Sequence, residues 1–164
     1  MTFVPDSWAT SSSDSVHRSF FRQRLLDRAP PCEHFDPIQQ YLIGQANLRG
    51  FFGAYVPDPG TLDPELGLEE IIVGLLMPHA DADGRVLKLV LRIVQSGQVA
   101  VERLLLWARR ERALGTLSWF VDLVPAEERN AAVEELARAI ARRPPRDSRR
   151  PCYRYSPERL LRRR

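Results

Sequence analysis

Residues 86–124 read VLKLVLRIVQSGQVAVERLLLWARRERALGTLSWFVDLV, and this stretch decides the fold class. Three apolar-periodic segments follow one another, with Ser96-Gly97 between the first two and Leu114-Gly115 between the last two. Val86, Leu87, Val90, Leu91, Ile93 and Val94 cover more than one face of the first, as a central helix requires. Val101, Leu104, Leu105 and Ala108 make the seam of the second; Leu114, Leu117, Phe120, Val121 and Val124 line the third. Connections this short predict antiparallel neighbours in a helical core. The stretch carries no nucleophile with a base, no metal-ligand cluster and no phosphate loop.

Outward from there, further helices are legible on both sides. Asp36-Pro37 is a helix start, with Asp as N-cap and Pro at the first helical position, and predicts a helix from 37 to about 54. Ile38, Tyr41, Leu42, Ala46 and Phe52 recur along it. Gly44, Gly50 and Gly53 are spaced for close helix packing rather than as a phosphate cradle. Pro57-Asp58-Pro59-Gly60 is a turn. Residues 65–77 then show Leu68, Ile71, Ile72, Leu75 and Leu76, a half-buried helical set that Pro78 stops. His79, Asp81, Asp83 and Gly84 fit a solvated turn; a calcium loop would need an acid where His79 stands and a Glu where Val90 stands. Pro125 with Glu127 and Glu128 predicts another helix start, and Val133, Leu136, Ala137, Ile140 and Ala141 give its apolar stripe up to Pro144-Pro145.

At the N-terminus, residues 1–14 are polar and aperiodic and are expected to be disordered. Residues 15–28 form a short basic amphipathic helix, capped by Asp14 or Ser15, with Val16, Phe20, Phe21 and Leu25 on one side. The expectation is an all-α, single compact bundle of six to seven helices over 15–143, with a basic tail at 144–164. Its core is expected to include Leu68, Ile72, Leu75, Val90, Ile93, Val94, Leu104, Leu105, Leu117, Phe120, Leu136 and Ile140.

Charge divides the chain. The net charge is +3, yet residues 142–164 hold ten Arg against Asp147 and Glu158, a local +8 that leaves the other 141 residues at −5. Of 24 basic residues only Lys88 is a lysine, a bias that GC-rich coding also produces. Arg146, Arg149, Arg150, Arg154, Arg162, Arg163 and Arg164 can neutralise phosphates, and Tyr153 and Tyr155 can stack on bases. The same tail also reads as a nuclear localisation signal or as a solvated appendage.

No apolar run reaches the length of a membrane helix, and the first residues lack the pattern of a signal peptide. Cys32 and Cys152 are too few and too peripheral for a disulfide framework. Cys32 and His34 with His79 or Cys152 do not have zinc-finger spacing. These features predict an intracellular, cytoplasmic protein, nuclear if the tail is an address, with no cofactor, no metal and no transmembrane segment.

Leu89, Val90 and Ile93, the Ser96-Gly97 turn, Ala100 with Leu104-Leu105, and 117–121 together resemble the middle of a caspase-recruitment domain of the death-fold superfamily. Residues 37–54 and 65–77 would supply its earlier helices; the Pro/Gly-rich connector at 56–64 departs from the pattern. The resemblance implies adaptor-type or homotypic assembly through charged surfaces rather than catalysis. Trp119 and Leu123 fall off the apolar seam of their helix and, with Phe20 and Phe21, are the expected contact residues, either with one another or with a partner. The expected partner is another protein, self-association included; the alternative is nucleic acid held by the tail.

Overall fold

A computed structural model describes residues 19–33, 35–53, 55–77 and 84–145 of the chain. Among them are seven α-helices, one short 3-10 turn and no strand: α1 (Phe20–Arg28), α2 (Pro37–Leu48), α3 (Leu68–Leu75), α4 (Gly84–Gln95), α5 (Val101–Arg110), α6 (Leu114–Leu123) and α7 (Ala131–Arg142). The expected all-α bundle is what these residues form.

The middle of the bundle is α3, which packs on α2, α4 and α5. Every residue of α3 except half-buried Leu68 is buried, because Ile71, Ile72, Val73 and Leu75 are apolar around the whole circumference. A Cβ on Gly74 would stand 2.5 Å from Leu42 Cδ1, so the missing side chain is what lets α2 approach. Close helix packing is therefore the role of Gly74. The other glycines differ: Gly44 and Gly53 give room to the 49–67 connector, and Gly50 ends α2.

Sequential helices are not always neighbours. α4 packs chiefly on α3 and α7, whereas α5 packs on α3, α6 and α7. The expectation that the short connection at 96–97 makes α4 and α5 chief neighbours is corrected on this point, whereas α5 and α6 do pack together. α4 is too apolar to be covered by one neighbour: seven of its twelve residues are buried, and they need both α3 and α7. Apart from Leu68, the expected core residues are all buried.

Helix ends also differ from the sequence reading. α1 is capped by Ser19, whose Oγ accepts from the Arg22 N–H at 3.0 Å, not by Asp14 or Ser15, which lie outside the described residues. α2 stops at Leu48 instead of near 54. Its Asp36 cap accepts from Ile38 and Gln39 as expected. At the far end Gly50 turns to φ +88°, its N–H donates to Asn47 O and the Phe51 N–H reaches back to Ala46 O. That is a Schellman stop, with glycine in the left-handed position and an apolar residue after it.

α5 ends the same way, with Arg112 in the left-handed position at φ 58° and the Ala113 N–H on Ala108 O. Leu114 is thus the first residue of α6, not part of a connection. After α6, the Arg129 guanidinium donates to Val121 O and Val124 O at 3.0 Å each. This closes the helix end but breaks the expected continuous helix at 125–128 into a 3-10 turn. Asn130 then restarts the chain, accepting from the Val133 N–H and donating to Gln95 O at the end of α4.

Candidate functional site

The residue pattern Tyr41, Gln45, Arg49 repeats every four positions and so lies along one face of α2. It holds down the long connector from 49 to 67. Gln45 is 0% exposed and fully used: its amide donates to Thr61 O at 2.7 Å and its Oε1 accepts from the Asp63 N–H at 2.8 Å and from Arg49 at 3.0 Å. Arg49 also donates to Gln45 O, Asp63 O and Leu66 O. Burial lowers its pKa, against the pull of Asp63. The Tyr41 hydroxyl donates to Asp63 at 2.7 Å, and Arg28 of α1 pairs with Asp63 and Glu65.

This geometry sets how the groups titrate. Burial, then the bond to Asp63, pushes the Tyr41 hydroxyl up to about 12. Burial acts upward on Asp63, but Tyr41, the Glu65 N–H and Arg28 together hold its carboxyl below the usual carboxylate value. The bonds to Glu65 and then Asp63 raise Arg28 above its ordinary value. The connector is clamped to α2 through its backbone, and the 57–60 turn lies so close that a Cβ on Gly44 would meet the Pro59 Cα at 3.0 Å.

A clamped connector presents what it carries. Phe51 and Val56 turn inward, while Phe52 and Tyr55 face solvent at 69% and 84% exposure. Gly53 passes over Leu89 of α4, where a Cβ would stand 3.2 Å from the Leu89 Cβ. The loop is thereby laid against α4, and the Arg92 guanidinium donates to Phe52 O. Asn47, Phe52, Gly53, Tyr55, Val56 and Arg92 enclose an open depression of about 490 Å³. Arg85, Lys88 and Arg92 are exposed and share one face of α4 beside it. No carboxylate of the described residues lies within ion-pair distance of Lys88 or Arg92. Exposed aromatics beside an arginine are the residue types enriched at the centre of protein contacts.

The expected contact residues differ in exposure. Phe20 is 76% exposed at the start of α1, but Phe21 is 1% exposed, with its ring centroid 5.2 Å from that of Trp107. Phe21 is a core residue rather than a surface contact, and the expected grouping with Phe20 is corrected: Phe21 points inward with Leu25, one turn on, while Phe20 points out. Trp119 and Leu123 are half-buried and packed against the core on α6. The start of α1 meets the turn between α5 and α6, where the hydroxyl of Ser19, the residue before Phe20, donates to Glu111. The tail residues Arg146, Arg149, Arg150, Tyr153, Arg154, Tyr155, Arg162, Arg163 and Arg164 lie outside the described residues, as do His34, the 79–83 turn and Cys152.

Sequence reasoning missed Trp107, which carries Arg110 at 5.2 Å and Arg24 at 5.9 Å over its ring. It also missed Tyr55 and placed Phe52 on a helix seam. The Gly50-Phe51 pair was the available signal, since glycine before an apolar residue marks a helix end and puts the next residues into a loop. Among the described residues no group of three or more His, Cys, Asp or Glu is arranged to hold a metal, and no helix is long and apolar enough to cross a membrane. Comparison of the chain with protein-family models, curated proteins and solved structures returns no match.

Proposed function

We propose that the chain is a non-enzymatic helical adaptor that acts by protein–protein contact, and that the contact face is the 52–55 loop with the outer side of α4. The observation that carries this reading is the exposure of Phe52 and Tyr55 on a connector otherwise fastened by buried hydrogen bonds. An aromatic whose backbone carbonyl is already held, as Arg92 holds that of Phe52, loses less further freedom on binding. The resemblance to caspase-recruitment domains supports the same class of role and adds self-association to the candidate partners. Phe20 and Trp119 remain secondary contact candidates at other places on the surface.

The test compares the full chain with a Phe52→Ser/Tyr55→Ser variant, using co-purification from the native cell and circular dichroism for the fold. A folded variant that loses its partners supports the reading. A folded variant that retains all of them overturns it.

The Arg/Tyr-rich tail favours nucleic acid as the second reading. About five phosphate contacts would give a log–log salt slope of roughly −3.5 on single strands. Truncation after Arg143 should abolish such binding and leave the bundle folded; undiminished binding by the truncated chain would exclude the tail.

A further inference from the structure

We infer that the 52–55/α4 face takes an acidic protein segment: two carboxylates on Lys88 and Arg92, with a bulky apolar side chain in the depression between Phe52 and Tyr55. This rests on the reading that the face is a protein contact and adds the chemistry of the partner.

Three features of the face point to that occupant. Lys88 and Arg92 are four residues apart on one helix, which sets their side-chain bases about 5–6 Å from each other. Carboxylates one helical turn apart in a partner have the same separation, so each cation meets one acid. Arg92 is already oriented by its bond to Phe52 O and keeps its other N–H groups for an acceptor. Orientation before binding is what gives arginine its advantage over a freely moving cation. Finally, Phe52, Gly53, Tyr55 and Val56 bring apolar surface to the depression beside Asn47 and Arg92, so an apolar side chain can lie next to the cation.

Nucleic acid is the competing polyanion, and magnitudes count against it on this face. With Arg85 included, three cations releasing counterions give a salt slope of only about −2 on a single strand. The Arg-rich tail offers more cations to a phosphate backbone than this face does. A peptide needs fewer charges because burial of its apolar anchor adds to the binding.

The test is fluorescence anisotropy on the full chain with three labelled probes. They are a peptide of Glu residues flanking a Leu-Trp pair, the same peptide with Lys for Glu, and oligothymidylate. The expected result is micromolar-range binding of the acidic peptide and none of the basic one. Tyr55→Ala and Lys88→Glu alter exposed side chains and should each weaken the acidic peptide about tenfold. Lys88→Glu should also gain measurable affinity for the basic peptide. Absent binding of the acidic peptide, or binding indifferent to both substitutions, would overturn the inference. So would oligothymidylate binding that falls with both substitutions and is competed by the peptide, since the face would then belong to nucleic acid. If the acidic peptide fails while Phe52→Ser/Tyr55→Ser still abolishes co-purification, the partner chemistry is wrong and the contact reading stands. If co-purification survives as well, the contact reading fails with it.

Discussion

Glu69 of α3 accepts the backbone N–H of Ala100 at 2.8 Å, so a carboxylate from one helix caps the start of another. α5 needs this because its own N-cap residue, Ala100, has no side chain that can accept a hydrogen bond. Next to it, Glu70 accepts from the Gly67 N–H at 2.9 Å and from Arg24 of α1, and Arg103 of α5 stands within 4 Å of both acids. Three helices meet at two buried carboxylates. Glu69→Ala is expected to cost about 0.5–2 kcal/mol, because the start of α5 loses its capping acceptor. Glu69→Gln keeps an acceptor oxygen and should cost less. Urea unfolding of the two variants checks the order; equal losses would contradict it.

Gly44→Val should force the Pro59 backbone off α2, since even a Cβ would stand 3.0 Å from the Pro59 Cα. Overpacking against backbone costs about 1–3 kcal/mol. Hydrogen exchange should locate the effect at the Asp63 N–H, which donates to Gln45. A loss of protection spread evenly over the bundle would contradict the account.

Arg112 holds a left-handed backbone that costs a side-chain-bearing residue about 1–2 kcal/mol. Arg112→Gly removes that cost but gives back about 0.5–1 kcal/mol through the freer unfolded chain. The net expectation is a gain of up to about 1 kcal/mol, seen as a higher denaturant midpoint at unchanged slope. Arg112→Val, β-branched at the same position, should be destabilising.

The pH response has two limbs in the connector network. Between Tyr41's unfolded value of 10.0 and its folded value of about 12, the unfolded chain releases a proton that the folded chain keeps, so stability falls as pH rises. Asp63 works in the other direction. Its lowered pKa contributes stability above the ordinary value of 3.8, lost as pH falls through the folded value. Tyr41→Phe should abolish its share of the alkaline limb and move the Asp63 carboxyl upward in an NMR titration. An unmoved Asp63 would show that the Tyr41 bond does not hold it.

Helix periodicity carried most of the fold. Apolar spacing located the body of every helix, and local caps such as Asp36 placed some of their starts. Positions set by tertiary partners were not legible. Arg112 is left-handed because the α5–α6 packing demands a tight turn there, and nothing in an arginine announces it. α3 reads as an ordinary half-buried helix, and only the convergence of α2, α4 and α5 makes it central. Of the candidate site, the Tyr41–Gln45–Arg49 stripe was readable at four-residue spacing. Its target was not, because the carbonyls of 61, 63 and 66 come from a connector with no periodicity of its own.

Whether partners meet the 52–55 loop is read in the native cell from a photo-crosslinking amino acid placed at position 55. Parallel samples carry the same group at 20, 119 and 138, the last on an exposed Arg of α7. The account predicts a discrete crosslinked species from position 55 that disappears when Lys88→Glu is added, and none from position 138. Crosslinks from 20 or 119 with none from 55 would contradict it and return the contact to α1 or α6.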